Sequence, residues 1–407
     1  MNVKKPELLA PAGSFNTLRY AFAYGADAVY VGGDEFSLRT ASKNFSRAEL
    51  EEAVRYTHAL GKKIYVAVNI FCHNGDIAEL EEYAKYLELI GVDAVIVSDI
   101  GALQTITDVA PKLDIHISTQ ANITNSAAVR AWKKLGASRV VPARELSFEE
   151  IKQIKESCDC EIETFVHGAM CISYSGRCLM SNYFTGRGAN QGACAHPCRW
   201  EYTVTEKTRP GEEMPVVETE RGTFIFNSKD LCMIEYIPEL IEAGIDSFKI
   251  EGRVKNELYV ATVISAYRKA IDSYFENPEC YQTDEALLTE LSKVSHRGYN
   301  TGFYFGRPDA SAHNFESSEY IREYGIVGVV KEYDKESGIA KIEQRNRFFA
   351  GDELEILVPD GGYFTQIARD MKNESGEEIT VAPNAQMVVF MKTDSPVSEF
   401  AILRKKI

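Results

Sequence analysis

The chain has 407 residues, 45% hydrophobic and 26% charged, an ordinary globular composition with room for one large domain and a smaller one. Its 45 basic against 60 acidic residues give a net charge of −15, which argues against a broad polyanion-binding surface but leaves room for a local basic patch. No apolar run reaches the length of a bilayer span, and the opening MNVKKPELLAPAGS lacks the apolar core of a signal peptide, so the expected address is cytoplasmic with no membrane partner.

From the N-terminus, one unit recurs through the first 250 residues: a helix ending at Gly, then a short apolar strand. It stands at 24–33, 60–69, 90–99, 135–144 and 243–252. Gly just past a helix end supplies a left-handed cap, and Val/Ile-rich runs suit strands covered on both faces. Residues 7–10, 114–119 and 161–166 complete eight strands with helices between them, which predicts an α/β fold, a (β/α)8 TIM-like barrel. A doubly wound open sheet is the alternative, but no GxGxxG follows an early strand.

The pattern breaks once, between the strands at 161–166 and 246–251. This long insertion belongs at the catalytic end of a barrel. It holds the Cys-rich segment 167–232, a β-like stretch at 200–206 and a further strand at 223–227. The predicted divisions are a barrel over 1–275, a helix and a Gly/aromatic-rich connection over 276–319, and a small all-β barrel over 320–407, where apolar residues recur with period two.

Cys171, Cys178, Cys194 and Cys198 lie within 34 residues, and Cys232 follows. Their spacing matches neither a zinc ribbon nor a bacterial ferredoxin run, but four loop thiolates suffice for an iron–sulfur cluster, with zinc as the alternative. In a reducing compartment clustered thiols read as ligands rather than disulfides. Buried unligated thiols describe Cys72 and Cys280 better.

On the strand before the insertion, Glu163, Phe165 and His167 alternate; on the last barrel strand Lys249, Glu251 and Arg253 do the same. If both sets point inward, carboxylates, imidazole, ammonium and guanidinium converge on an anionic substrate at one barrel end. The competing reading for Lys249 and Glu251 is a charge pair serving stability. Of the strand-end polar residues, Asp99 reads as a helix cap, whereas Gln120 and Asn122 read as ligand contacts. In the insertion, beside Arg187, Tyr174 and Arg177 read as substrate contacts, and Arg297, Tyr299, Phe303 and Tyr304 stand in a Gly/aromatic loop that could clamp a base. No HExxH, GxSxG or Walker loop occurs.

The run ETFVHGAMCISYSGRCLMSNY resembles the signature of the collagenase-like peptidase family of unassigned mechanism, family thirty-two of that class. The opening ELLAPAGSFNTLRYAFAYGADAVYVGG, the run FKIEGRVKNELYV, the RGYNTGFYFG loop and the terminal β domain resemble it too. The resemblance implies either proteolysis or oxygen-independent hydroxylation. The length is most similar to members that hydroxylate the wobble uridine of tRNA to 5-hydroxyuridine with prephenate as oxygen donor. It further implies a 4Fe–4S cluster on Cys171, Cys178, Cys194 and Cys232, with Cys198 as another candidate ligand. Implied partners are the tRNA anticodon loop, the dicarboxylate donor and a paralogous or electron-donor protein. Lys249, Arg253 and His167 would hold the donor, and Arg345, Arg347 and the tail LRKKI would grip the RNA backbone. The alternatives are a peptidase and a scaffold with a structural cluster.

Overall fold

The structure, a computed structural model, describes residues 4–37, 44–171, 173–175, 177–187, 194–200, 203–204, 214–215, 228–308, 312, 320–359 and 362–407. By their contacts these sort into two compact units. One comprises Met1–Leu18, Asp27–Val254 and His296–Tyr320; the other comprises Arg19–Ala26, Lys255–Ser295 and Ile321–Ile407.

The first unit is built on eight parallel strands: β1 Glu7–Pro11, β2 Ala28–Gly32, β3 Lys63–Val68, β4 Ala94–Val97, β5 Asp114–Ile117, β6 Arg139–Val140, β7 Glu161–Gly168 and β8 Ser247–Ile250. Each pairs with the next, and β8 pairs with both β1 and β7, so the sheet closes into the expected TIM-like barrel. The strands are buried end to end in the manner of parallel sheets: all five residues of β2 are inside. Between strands the helices start and stop where their sequences say. Ser46 and Glu49 form a capping box on Arg47–Ala59, Ser147 and Glu150 do so on Phe148–Ser157, and Gly91 ends Ile77–Ile90 at φ 84°. Asp99 caps Ile100–Val109, its carboxylate accepting from the Ala102 amide at 2.8 Å.

Where the chain leaves β7 it does not return directly to a helix. A short strand, Asp230–Cys232, turns back antiparallel on β7, pairing Cys232 with His167, and pairs in parallel with Tyr299–Asn300. This is the insertion, and it emerges at the C-terminal end of the barrel strands. Of the β-like stretch expected at 200–206, Thr203–Val204 pairs with Met214–Pro215. The strand expected at 223–227 lies outside the described residues.

The second unit carries β9 Tyr324–Asp334, β10 Ile339–Gln344, β11 Glu353–Leu357, β12 Tyr363–Ile367, β13 Val388–Lys392 and β14 Ile402–Lys406. They form an antiparallel half-barrel in the order β12-β11-β14-β9-β10-β13 around Ile342, Phe348, Leu354, Ile356 and Leu403. One expectation fails here. The tail LRKKI is not an open cationic strip, because β14 is an interior strand of the sheet. Arg404 on it is fully buried, at 2.6 Å from Glu290 and 2.7 Å from Glu355, and Lys405 pairs with Asp352 at 2.7 Å. Arg345 is also paired, with Glu343 at 3.1 Å. The period-two alternation that makes this stretch a strand turns Leu403 into the core and Arg404 to the opposite face of the sheet, where Glu355 of the neighbouring strand and Glu290 hold it.

Candidate functional site

β7 and β8 run side by side with Ser247 opposite Glu163 and Ile250 opposite His167. Their inward residues therefore form adjoining columns inside the barrel. Glu163 is wholly buried and lies 2.7 Å from Lys249 Nζ and 3.1 Å from Arg139 Nη1. Arg139 also reaches Glu7 at 2.6 Å and Glu161 at 2.8 Å, and the Tyr65 hydroxyl donates to Glu7 at 2.6 Å. Glu7, Arg139, Glu163 and Lys249 thus make a file of alternating charge drawn from four strands.

Burial opposes the Glu163 charge, but Lys249 and then Arg139 outweigh it and hold the carboxyl down at about 2. His116, buried edge-on to Tyr65 at 4.6 Å, is pushed the other way from a charged state. Burial first and Arg139 second keep its pKa well below 6.5.

Lys249 closes the file at its upper end, with its ammonium 4.6 Å from the Tyr30 ring centroid and 5.5 Å from that of Phe165. Its ion-pair partner is Glu163. Glu251 accepts from the Tyr30 hydroxyl at 3.2 Å, and its amide donates to the His167 carbonyl at 2.8 Å. His167 is buried, its ring 5.3 Å from Tyr299, which stacks on His296 at 4.5 Å. Burial raises the Tyr299 phenol, with Cys232 and Asp230 adding to it, so it stays a neutral hydroxyl.

Arg253 is held by close-fitting backbone. Its Nη1 donates to Ser37 Oγ at 2.7 Å. A Cβ on Gly32 would fall inside contact distance of that guanidinium and of Ser37 Oγ, and one on Gly13 would strike the Arg253 carbonyl. A Cβ on Gly168 would likewise strike the Glu251 carbonyl. The site thus depends on glycines that let two loops approach one another.

The structure therefore links Glu163 to Lys249 directly, Lys249 to Glu251 through Tyr30 and Glu251 to His167 through the backbone, while Arg253 is held apart by Ser37 and the glycines. Gln120 lies in a 3₁₀ turn after β5, accepting from Asn69 Nδ2 at 2.7 Å and from Ser118 Oγ at 3.3 Å. Asn122 takes a left-handed conformation (φ 53°) and its side chain donates to the Gln120 carbonyl, a turn-stabilising role. Tyr174 is exposed, and Arg177 is exposed with its guanidinium 5.7 Å from the Phe71 ring centroid. Arg297 is buried 3.7 Å from Asp230 and 3.7 Å from the Tyr320 ring centroid, which ties down a loop rather than offering an open clamp. Residues that the sequence did not point to are Tyr30, Ser37 and Arg139.

None of the nine cysteines forms a disulfide. Cys171 is exposed, Cys178, Cys194 and Cys198 are half-buried, and Cys232 is buried beside His167. Their chemistry suits a thiophilic metal or cluster. As placed, though, no three His, Cys, Asp or Glu side chains among the described residues are gathered closely enough to hold a metal ion.

A file of buried charge, an Arg in a glycine cradle and a Cys-rich insertion are thus carried by an eight-stranded parallel barrel. The model of peptidase family U32 matches residues 13–314 and that of the peptidase family U32 C-terminal domain matches 322–404, so the chain belongs to this family. Among its relatives, tRNA hydroxylation protein P1 of Bacillus subtilis is 42% identical over 99% of this chain and 95% of its own length. tRNA hydroxylation protein P of Escherichia coli is 38% identical over 95% and 93%. A collagenase of Porphyromonas gingivalis is 32% identical over 92% of each chain.

Proposed function

We propose that this chain hydroxylates tRNA, forming 5-hydroxyuridine at the wobble position from prephenate without molecular oxygen. The observation that carries the reading is the 42% identity, over nearly the full length of both chains, to a protein named for tRNA hydroxylation. The site supports it by its charge. The Arg253 guanidinium and the Lys249 ammonium suit a dicarboxylate donor, and the fixed planar fork of Arg matches a carboxylate. Glu163 holds Lys249 in place, Ser37 and Gly32 hold Arg253, and Tyr30 orients Glu251. His167, set against Tyr299, is the group placed to move a proton at the mouth.

Cys171, Cys178 and Cys194, with Cys232 or Cys198, are the residues that would hold a 4Fe–4S cluster; a zinc ion is the alternative. When bound, a cluster would supply the one-electron chemistry that the side chains here do not offer.

The collagenase relative favours a second reading, proteolysis. Purification without oxygen, with iron and sulfide analysis and a gelatin-cleavage assay, separates the two. Brown protein with about four irons per chain and no gelatinase activity is the expected result. Colourless protein that cleaves gelatin would replace this reading with the second.

A further inference from the structure

Residues 167–200 lie in one of the chain's two long acid-free runs, the other being 115–144. They contain Arg177, Arg187 and Arg199 and no Asp or Glu, where the chain's own density of 60 acids in 407 residues would place about five. Of the two, the 167–200 run carries an exposed aromatic cluster. Tyr183 is 83% exposed, Phe184 48% and Trp200 43%, with Leu179, one helical turn before Tyr183, at 70%. Tyr183 and Phe184 meet edge to face at 5.2 Å, and Phe184 and Trp200 lie 6.5 Å apart.

The cluster is built rather than accidental. The helix Met180–Thr185 ends at Gly186 in a left-handed cap (φ 68°), and the Ser181 hydroxyl, buried beneath it, accepts from the Ala195 amide at 2.9 Å. That bond ties the segment bearing Trp200 to the helix bearing Tyr183 and Phe184. Solvent-facing rings of this size are costly unless something covers them.

We infer that this face is the platform on which the unpaired bases of an RNA loop stack, with Arg177 and Arg187 taking the backbone phosphates; the inference rests on the tRNA reading above. Two features select this occupant over a protein partner or a second copy of the chain. Rings exceed aliphatic groups in the cluster, and every base offers a face to stack on such rings. The stretch also excludes acids and carries Arg177 and Arg187, which suits a phosphate backbone lying beside the stacked bases. A wholly paired RNA offers the phosphates but no bases to stack. The platform therefore distinguishes a loop from a stem.

The test measures binding of the full chain to a short RNA hairpin with an unpaired loop, and to a fully paired RNA of the same length, by fluorescence anisotropy. The variants are the double substitution Tyr183→Ala with Phe184→Ala, the corresponding pair to Leu, the corresponding pair to Trp, and Trp200→Ala. Circular dichroism checks the fold of each. The expected result is a loss of hairpin affinity of about tenfold for the Ala and Leu forms, retention by the Trp form, and little change for the paired RNA. If the unaltered protein binds the hairpin and the Ala variants bind it equally well, the platform is refuted while the tRNA reading stands. Should the unaltered protein bind neither RNA, both fall. Sedimentation that shifts from dimer to monomer in the Ala variants, with RNA binding unchanged, would assign the face to self-association instead.

Discussion

Removing the Glu163 carboxylate would leave Lys249 and Arg139 buried against each other with a lost counter-charge. Breaking a buried pair in this way costs about 3–5 kcal/mol, so Glu163→Gln is expected to lower the urea midpoint sharply. The same residue sets an acid limit. Its folded pKa, about 2, lies below its ordinary 4.5, so its stabilisation is complete above pH 4.5 and is lost as pH falls toward 2. His116 opens an earlier window. The folded protein refuses the proton that the unfolded chain accepts below pH 6.5, so stability declines from there downward. Unfolding curves between pH 7 and pH 3 should show both phases, with Glu163→Gln abolishing the lower and His116→Gln the upper. A single phase insensitive to either change would contradict this assignment.

At the scale of elements, the loop after β8 is clamped to those after β1 and β2 by close backbone approach. Gly32→Ala meets the flexible end of Arg253, whereas Gly13→Ala meets the Arg253 carbonyl. Overpacking costs about 1–3 kcal/mol. Gly32→Ala is expected to fall at the low end of that range while weakening donor binding, and Gly13→Ala at the high end. Thermal melts together with titration of prephenate distinguish them; equal losses of stability would overturn the ranking. Such approaches are invisible in a sequence, since nothing local distinguishes a glycine that faces another loop from one in a simple turn. The barrel itself was legible, because buried parallel strands read as apolar runs and Gly caps mark the helix ends. So was the facing of Glu163 and Lys249, from period-two alternation. Arg139 was not, because β6 is two residues long and gives alternation nothing to act on. The burial of Arg404 was hidden for another reason: a charged tail reads as solvated until its carboxylate partners, distant in sequence, are known.

At the scale of the whole molecule, the second unit draws on chain well before its strands. Glu290 and Lys293 come from the 255–295 segment and share the Arg404–Glu355 network. A fragment of residues 321–407 is therefore expected to be less stable than one of 255–407, by about 3–5 kcal/mol for the lost buried partner. Equal denaturation midpoints for the two fragments would show that the network contributes nothing.

The two activities that the family's names suggest make opposite demands on the barrel mouth: one modifies a base, the other breaks a peptide. The direct measurement is mass spectrometry of tRNA nucleosides from cells that make no 5-hydroxyuridine derivatives of their own, expressing either this chain or its Arg253→Ala variant. The account predicts that the unaltered chain produces these nucleosides and the variant does not. Soluble, iron-containing protein that leaves the tRNA unmodified would contradict it.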